Sequence, residues 1–147
     1  MSTKQAVVER AVRRVGQRDT TGILTGLGGP EVAFLAGVVL GVAAGGGMVV
    51  LDGMATTVAA IVATLLEPAG VVDHLVAGQR SNERGHAALL RQLGLEPLLD
   101  WRLRAGEGVG ATYATRLLLG GLRARQRGTT HSSPSPSKGS DDSVNRR

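Results

Sequence analysis

Nine residues near the middle of the chain, Gly45-Gly46-Gly47-Met48-Val49-Val50-Leu51-Asp52-Gly53, constrain its architecture more than any other feature. The apolar run is too short for a helix, is rich in β-branched residues and is bounded by glycines. It reads as a buried parallel strand, Met48 to Asp52, whose carboxyl end delivers Asp52. Before it, Pro30 suits the first helical position, Glu31 complements the helix dipole, and an apolar helix runs to Ala44, where the glycines stop it. After it, the stretch from Ala55 to Glu67 spreads apolar side chains around most of a helix and ends at Pro68, which suits a helix packed on a sheet.

The same region poses a membrane question, because Val32 to Leu51 is a run of twenty residues without a charge. Five glycines interrupt it, no basic flank directly precedes it, and the next apolar stretch is too short to span. The expectation is therefore no membrane association. The N-terminus has charges scattered through it and no apolar signal region. With no cysteine, disulfide frameworks, thiol catalysis and thiolate zinc sites are excluded, and a reducing cytoplasmic location is the expectation.

Extending the strand-helix reading outward predicts an amphipathic helix over residues 2–16 stopped by Gly16, then a polar joint from Gln17 to Thr25. A second strand is expected from Val71 to Ala77, followed by a loop to Ser81. A helix containing His86 to Leu93 comes next, capped by Ser81 and closed by Gly94, and a last helix runs from about Ala111 to Arg123. This rhythm is α/β, a partial doubly wound parallel sheet with flanking helices, thin because so few strands are present. Residues 1–127 form the expected α/β domain. Residues 128–147 are Ser/Pro-rich, carry almost no large apolar groups and are expected to be a disordered tail.

The formal charge of +5 suggests an anionic partner until its location is considered. Residues 123–147 hold six basic and two acidic groups, and without them eleven basic face ten acidic residues. The body is nearly neutral. Only Phe34, Trp101 and Tyr113 are aromatic, so stacking platforms for unpaired bases are absent and nucleic acid is not an expected partner.

In doubly wound sheets ligands bind beyond the carboxyl ends of the strands, which directs attention to Asp52-Gly53, Gly78 to Ser81 and Gly106 to Gly110. Glu107 stands between Gly106 and Gly108, whose backbones can approach a ligand closely. A carboxylate partly desolvated there would serve as a base; the alternative is a helix N-terminal charge. Ser81, beside Arg80, either holds an anion such as phosphate at a helix start or is a plain N-cap. Asp52 either bonds substrate or simply ends a strand. Gly106-x-Gly108-x-Gly110 is not the dinucleotide fingerprint. His74, His86 and His131 have no metal spacing and read as ordinary strand, helix and tail residues, so no metal site is expected.

Five segments occur together in order and register: Gly28-Gly29-Pro30-Glu31-Val32-Ala33; Val49-Val50-Leu51-Asp52-Gly53-Met54; Leu75 to Ser81 with Gly85-His86; Leu93 to Asp100; and Arg104 to Ala111. Over roughly residues 5–125 the chain resembles the C-terminal part of nicotinate-nucleotide:dimethylbenzimidazole phosphoribosyltransferases, enzymes of cobalamin lower-ligand assembly. The resemblance implies that a benzimidazole nitrogen attacks C1′ of nicotinate mononucleotide, nicotinate leaves, and α-ribazole 5′-phosphate forms with inversion, with no metal or other cofactor. It implies Glu107 as the general base, Ser81 on the nucleotide phosphate, Glu31 and Asp52 in the active-site region, and Gly106 and Gly108 against substrate. It also implies a tendency to form homodimers. The family usually has His where this chain has Gln79, and the resemblance does not extend to the family's N-terminal half. A truncated product, a split half needing a complementary N-terminal half, or a relic would each fit. A non-catalytic nucleotide-binding or assembly subunit of the same pathway is the alternative from a different functional class.

Overall fold

The computed structural model describes residues 3–103 and 106–129. Helix α1 (Thr3–Val15) ends at Gly16, and α2 (Thr20–Leu27) follows where the polar joint was expected. The joint is helical because Asp19 caps it, its carboxylate accepting the Gly22 N–H at 2.8 Å, while Gly22 and Gly26 dilute the apolar pattern in sequence. Helix α3 (Pro30–Ala44) has the expected limits and leads through the glycines to β1 (Val49–Leu51). Helix α4 (Met54–Leu66) starts immediately after it. The Thr56 hydroxyl reaches back to accept the N–H groups of Gly53 and Asp52 at 3.1 and 3.0 Å, a cap supplied from inside the first turn.

The second expected strand is only half extended. Val71–His74 is a 3-10 turn and β2 is Leu75–Ala77. The turn is fixed at its end by His74, whose Nδ1 donates to the Gly47 carbonyl at 2.7 Å, so His74 belongs to the turn and not to a strand. β1 and β2 are parallel, with Val49 opposite Leu75 and Leu51 opposite Ala77, joined by α4 as the crossover. On the far edge of β2 a stub of a third strand pairs: Leu98 donates to Ala77 at 2.9 Å, Leu99 to Gly78 at 3.1 Å, and Arg80 to Leu99 at 2.8 Å.

Helix α5 (His86–Leu93) closes on Gly94 in the left-handed conformation, as expected. It begins at Gly85, not at Ser81. The last helix, α6 (Val109–Thr129), is longer than expected at both ends and passes the anticipated boundary at residue 127. Residues 130–147, which include His131 and most of the expected tail, lie outside the described residues. The chain divides into two compact units, Met1–Arg116 and Leu117–Arg147; in the second the described residues are the remainder of α6.

The core lies between α3, α4 and the sheet, where Ala36, Val39, Leu51, Ala60, Ala63 and Leu75 are buried. Alanines on facing helices allow close approach, and Leu51 at the centre contributes about 2 kcal/mol by burial. Among the described residues no helix is long and apolar enough to cross a membrane.

Candidate functional site

The carboxyl ends of β1 and β2 point at the amino end of α6, and Asp52 makes the junction. It is only 8% exposed. Its Oδ1 accepts the Ala111 N–H at 2.9 Å and the Gln79 side-chain amide at 3.3 Å, and its Oδ2 accepts the Gly108 N–H at 3.3 Å. These contacts satisfy orphan donors at the start of α6 and place a negative charge at the positive end of its dipole. Asp52 is therefore a cap that the end of β1 supplies to α6, a role its strand-end position in sequence does not indicate.

Two close approaches let the parts meet. A Cβ on Gly78 would lie 2.8 Å from the Leu51 carbonyl and 3.2 Å from the Ala111 Cα. A Cβ on Gly110 would overlap the Gln79 side chain outright. Gln79 is 2% exposed. Because a carboxylate only accepts, the Gln79 NH2 must face Asp52, and its Oε1 is left buried without a hydrogen-bond partner.

A cavity of about 340 Å³ opens beside this junction, lined by Asp52, Gln79, Ser81, Glu83, Leu103 and Gly106 among others. Ser81 lies five residues ahead of α5, so the helix-start argument for an anion does not apply to it. Its hydroxyl donates to Glu83 Oε2 at 3.4 Å. Arg80 turns away to Asp100, paired at 2.7 Å with both side chains nearly half exposed, an interaction worth little in water.

Residues 106–108 form a continuous left-handed turn, with φ of 63°, 57° and 80°. Glu107 is the non-glycine member and carries the strain, about 1 kcal/mol. It is exposed, so the expected partial desolvation is not present in this chain. Its side chain lines a second, shallower groove of about 290 Å³ with Thr112, Tyr113 and Arg116. Trp101 packs edge-to-face on Tyr113, ring centres 5.6 Å apart.

Of the residues singled out in sequence, then, Asp52, Ser81 and Gly106 share one cavity wall. Gly108 joins them through its N–H, and Glu107 sits on the turn between the two concavities. Glu31 does not line either. It is exposed at the start of α3 and folds back over Gly29, where an added Cβ would strike its carboxylate. Among the described residues no three His, Cys, Asp or Glu side chains gather as a metal site.

Sequence reasoning missed Thr57 and His86, the latter expected to be an ordinary helix residue. Both are fully buried. Thr57 Oγ1 lies 2.9 Å from His86 Nε2 and donates to the Gly53 carbonyl at 2.8 Å, while the Ser81 N–H donates to His86 Nδ1 at 2.9 Å. Burial lowers the His86 pKa below the usual 6.5, against the opposing pull of Glu83 and Asp52. The adjacent threonines after Asp52-Gly53 and the Gly85-His86 pair were visible, but nothing in their spacing joined them.

The family described as Phosphoribosyltransferase matches residues 1–133. The nicotinate-nucleotide–dimethylbenzimidazole phosphoribosyltransferase of Chloroflexus aggregans is 46% identical over 119 residues, covering 80% of this chain and 33% of the relative. The protein of the same name from Pelodictyon phaeoclathratiforme is 44% identical over 122 residues, with 82% and 34% covered. The crystal structure of CobT from Thermus thermophilus superposes with a TM-score of 0.72 at 41% identity, over 76% of this chain and 33% of that one. The chain spans about a third of the length of these relatives.

Proposed function

The chain belongs to the nicotinate-nucleotide–dimethylbenzimidazole phosphoribosyltransferase family, and from that membership we propose that it provides the base-bearing and phosphate-side wall for phosphoribosyl transfer from nicotinate mononucleotide to 5,6-dimethylbenzimidazole. The observation that carries this reading is the convergence of Asp52, Gln79, Ser81 and Gly106 on one cavity at the strand ends, with Glu107 the next residue along its rim. In this reading the mononucleotide phosphate takes the Ser81 hydroxyl from Glu83. The benzimidazole nitrogen forms its bond to C1′ as the bond to nicotinate breaks, and Glu107 accepts the ring proton.

Asp52 serves this chemistry indirectly. By capping α6 it holds Gly108 and hence the left-handed turn that presents Glu107. Because Glu107 is exposed and the cavity is open, turnover in this reading requires a covering wall that excludes water. A complementary N-terminal half, or a second copy of the chain, would supply it.

The test is an assay of nicotinate release with both substrates. The chain is measured alone and then mixed with the N-terminal two-thirds of the Chloroflexus aggregans relative, beside the full-length relative as control. Turnover in the mixture is the expected result. Tight binding of nicotinate mononucleotide without turnover would favour the non-catalytic subunit, and neither binding nor turnover beside a working control would overturn the proposal.

A further inference from the structure

His86 is fully buried, yet both its ring nitrogens are engaged, and their partners fix its state. A backbone N–H can only donate, so Nδ1, which receives the Ser81 N–H, carries no proton. The proton is on Nε2, which donates to Thr57 Oγ1, and the Thr57 hydroxyl passes its own proton toward the Gly53 carbonyl. The relay runs one way: Ser81 N–H to His86, His86 to Thr57, Thr57 to Gly53. Both ends, Ser81 and Gly53, line the main cavity.

We propose that His86 is a positioning residue, a neutral Nε2–H imidazole that clamps the Ser81 loop in the shape that receives an anionic ligand. Three elements meet in the clamp: the 79–83 loop through Ser81, α4 through Thr57, and α5, which carries the imidazole at its first residue. No other hydrogen bond to the Ser81 backbone N–H is present among the described residues. The imidazole thus fixes the Ser81 backbone, from which the hydroxyl reaches Glu83. A proton added at Nδ1 would turn the acceptor into a donor facing another donor and eject the loop. The charged groups facing the ring are Glu83 and Asp52, both acidic, while Thr57 is neutral. The identity of the anion as a nucleotide phosphate rests on the functional reading above, but the clamp itself does not.

The two nitrogens can be separated by substitution. In His86→Asn the side-chain oxygen stands near the Nδ1 position and still accepts from Ser81; in His86→Gln the amide nitrogen stands near Nε2 and the Ser81 acceptor is lost. The measurement uses the full chain labelled with ¹⁵N. A long-range ¹H–¹⁵N spectrum reads the tautomer, amide exchange reads the protection factor of Ser81, and titration with nicotinate mononucleotide reads affinity.

The expected results are the Nε2–H form, Ser81 protection that His86→Asn keeps within about threefold, and a loss of about tenfold or more in His86→Gln. Acidification should remove Ser81 protection from the parent chain and not from His86→Asn, which a purely space-filling role would not produce. An Nδ1–H tautomer, or equal protection in the Asn and Gln variants, overturns the clamp. If nicotinate mononucleotide binds none of the chains while Ser81 protection follows the expected pattern, the clamp stands and the phosphate reading fails.

Discussion

Asp52 at the end of β1 accepts the backbone N–H of Ala111 in the first turn of α6 at 2.9 Å, across 59 positions of sequence. One carboxylate thereby ties the strand that frames the cavity to the helix whose first turn follows Glu107. Replacing Asp52 with Ala removes three acceptor contacts and leaves the Ala111 and Gly108 donors short of partners. We expect a loss of about 2–3 kcal/mol in urea unfolding, with Asp52→Asn losing roughly half as much. A loss under about 0.5 kcal/mol for the alanine variant would show that the cap is not what orders the turn.

Gly110 is a glycine because Gln79 occupies the space its side chain would need. Gly110→Ala should cost about 1–3 kcal/mol, and the cost should shrink in the Gln79→Ala background. Gly120, where a Cβ meets nothing within 4 Å, is the internal control, and Gly120→Ala should stabilise by up to about 1 kcal/mol. A double-mutant cycle between positions 79 and 110 measures the coupling, and additive effects would contradict the overlap.

The Glu107 assignment is tested by Glu107→Gln in the complemented enzyme. Turnover should fall by about 10²-fold or more while nicotinate mononucleotide affinity stays within about twofold. Equal losses in both would remove Glu107 from the role of base.

Glu83 holds the hydroxyl that the proposal assigns to the phosphate. Glu83→Gln removes a competing carboxylate and its repulsion of an incoming anion, so nicotinate mononucleotide affinity should rise, about threefold to tenfold at low ionic strength and less in salt. Calorimetric titration at two salt concentrations checks it. Unchanged or weaker binding would place the anion elsewhere.

His86 also predicts a direction for stability with pH. Its folded pKa lies below the unfolded value of 6.5, so between those values the unfolded chain binds a proton that the native state refuses. The stabilisation by neutral His86 is thus present above pH 6.5 and is lost as pH falls toward the lowered folded value. Thermal unfolding from pH 7.5 to 5 should show a steeper decline for the parent chain than for His86→Asn. Parallel curves would mean the ring is not held neutral.

Local sequence determined most of the elements, because their signals are local. Pro30 and the glycines at 45–47 bound α3, a β-branched run between glycines makes β1, and Gly94 closes α5. It misled where a short-range signal was diluted or overruled: Gly22 and Gly26 hid α2, and the 3-10 turn at Val71–His74 follows from a contact between His74 and Gly47 that periodicity cannot display. The turn residues Asp52, Ser81 and Gly106 were legible as strand-end candidates, since a parallel sheet puts ligands at that edge whatever its details.

What each residue does there was decided only by the tertiary structure. Asp52 becomes a helix cap, Ser81 is detached from α5, Gln79 fills the place of a Cβ on Gly110, and His86 becomes the buried acceptor of the Ser81 N–H. Each of these facts joins residues remote in sequence or opposed in direction. Hydrogen bonds are satisfied by whatever donor and acceptor the packed fold brings within about 3 Å, and composition and spacing carry no record of that distance.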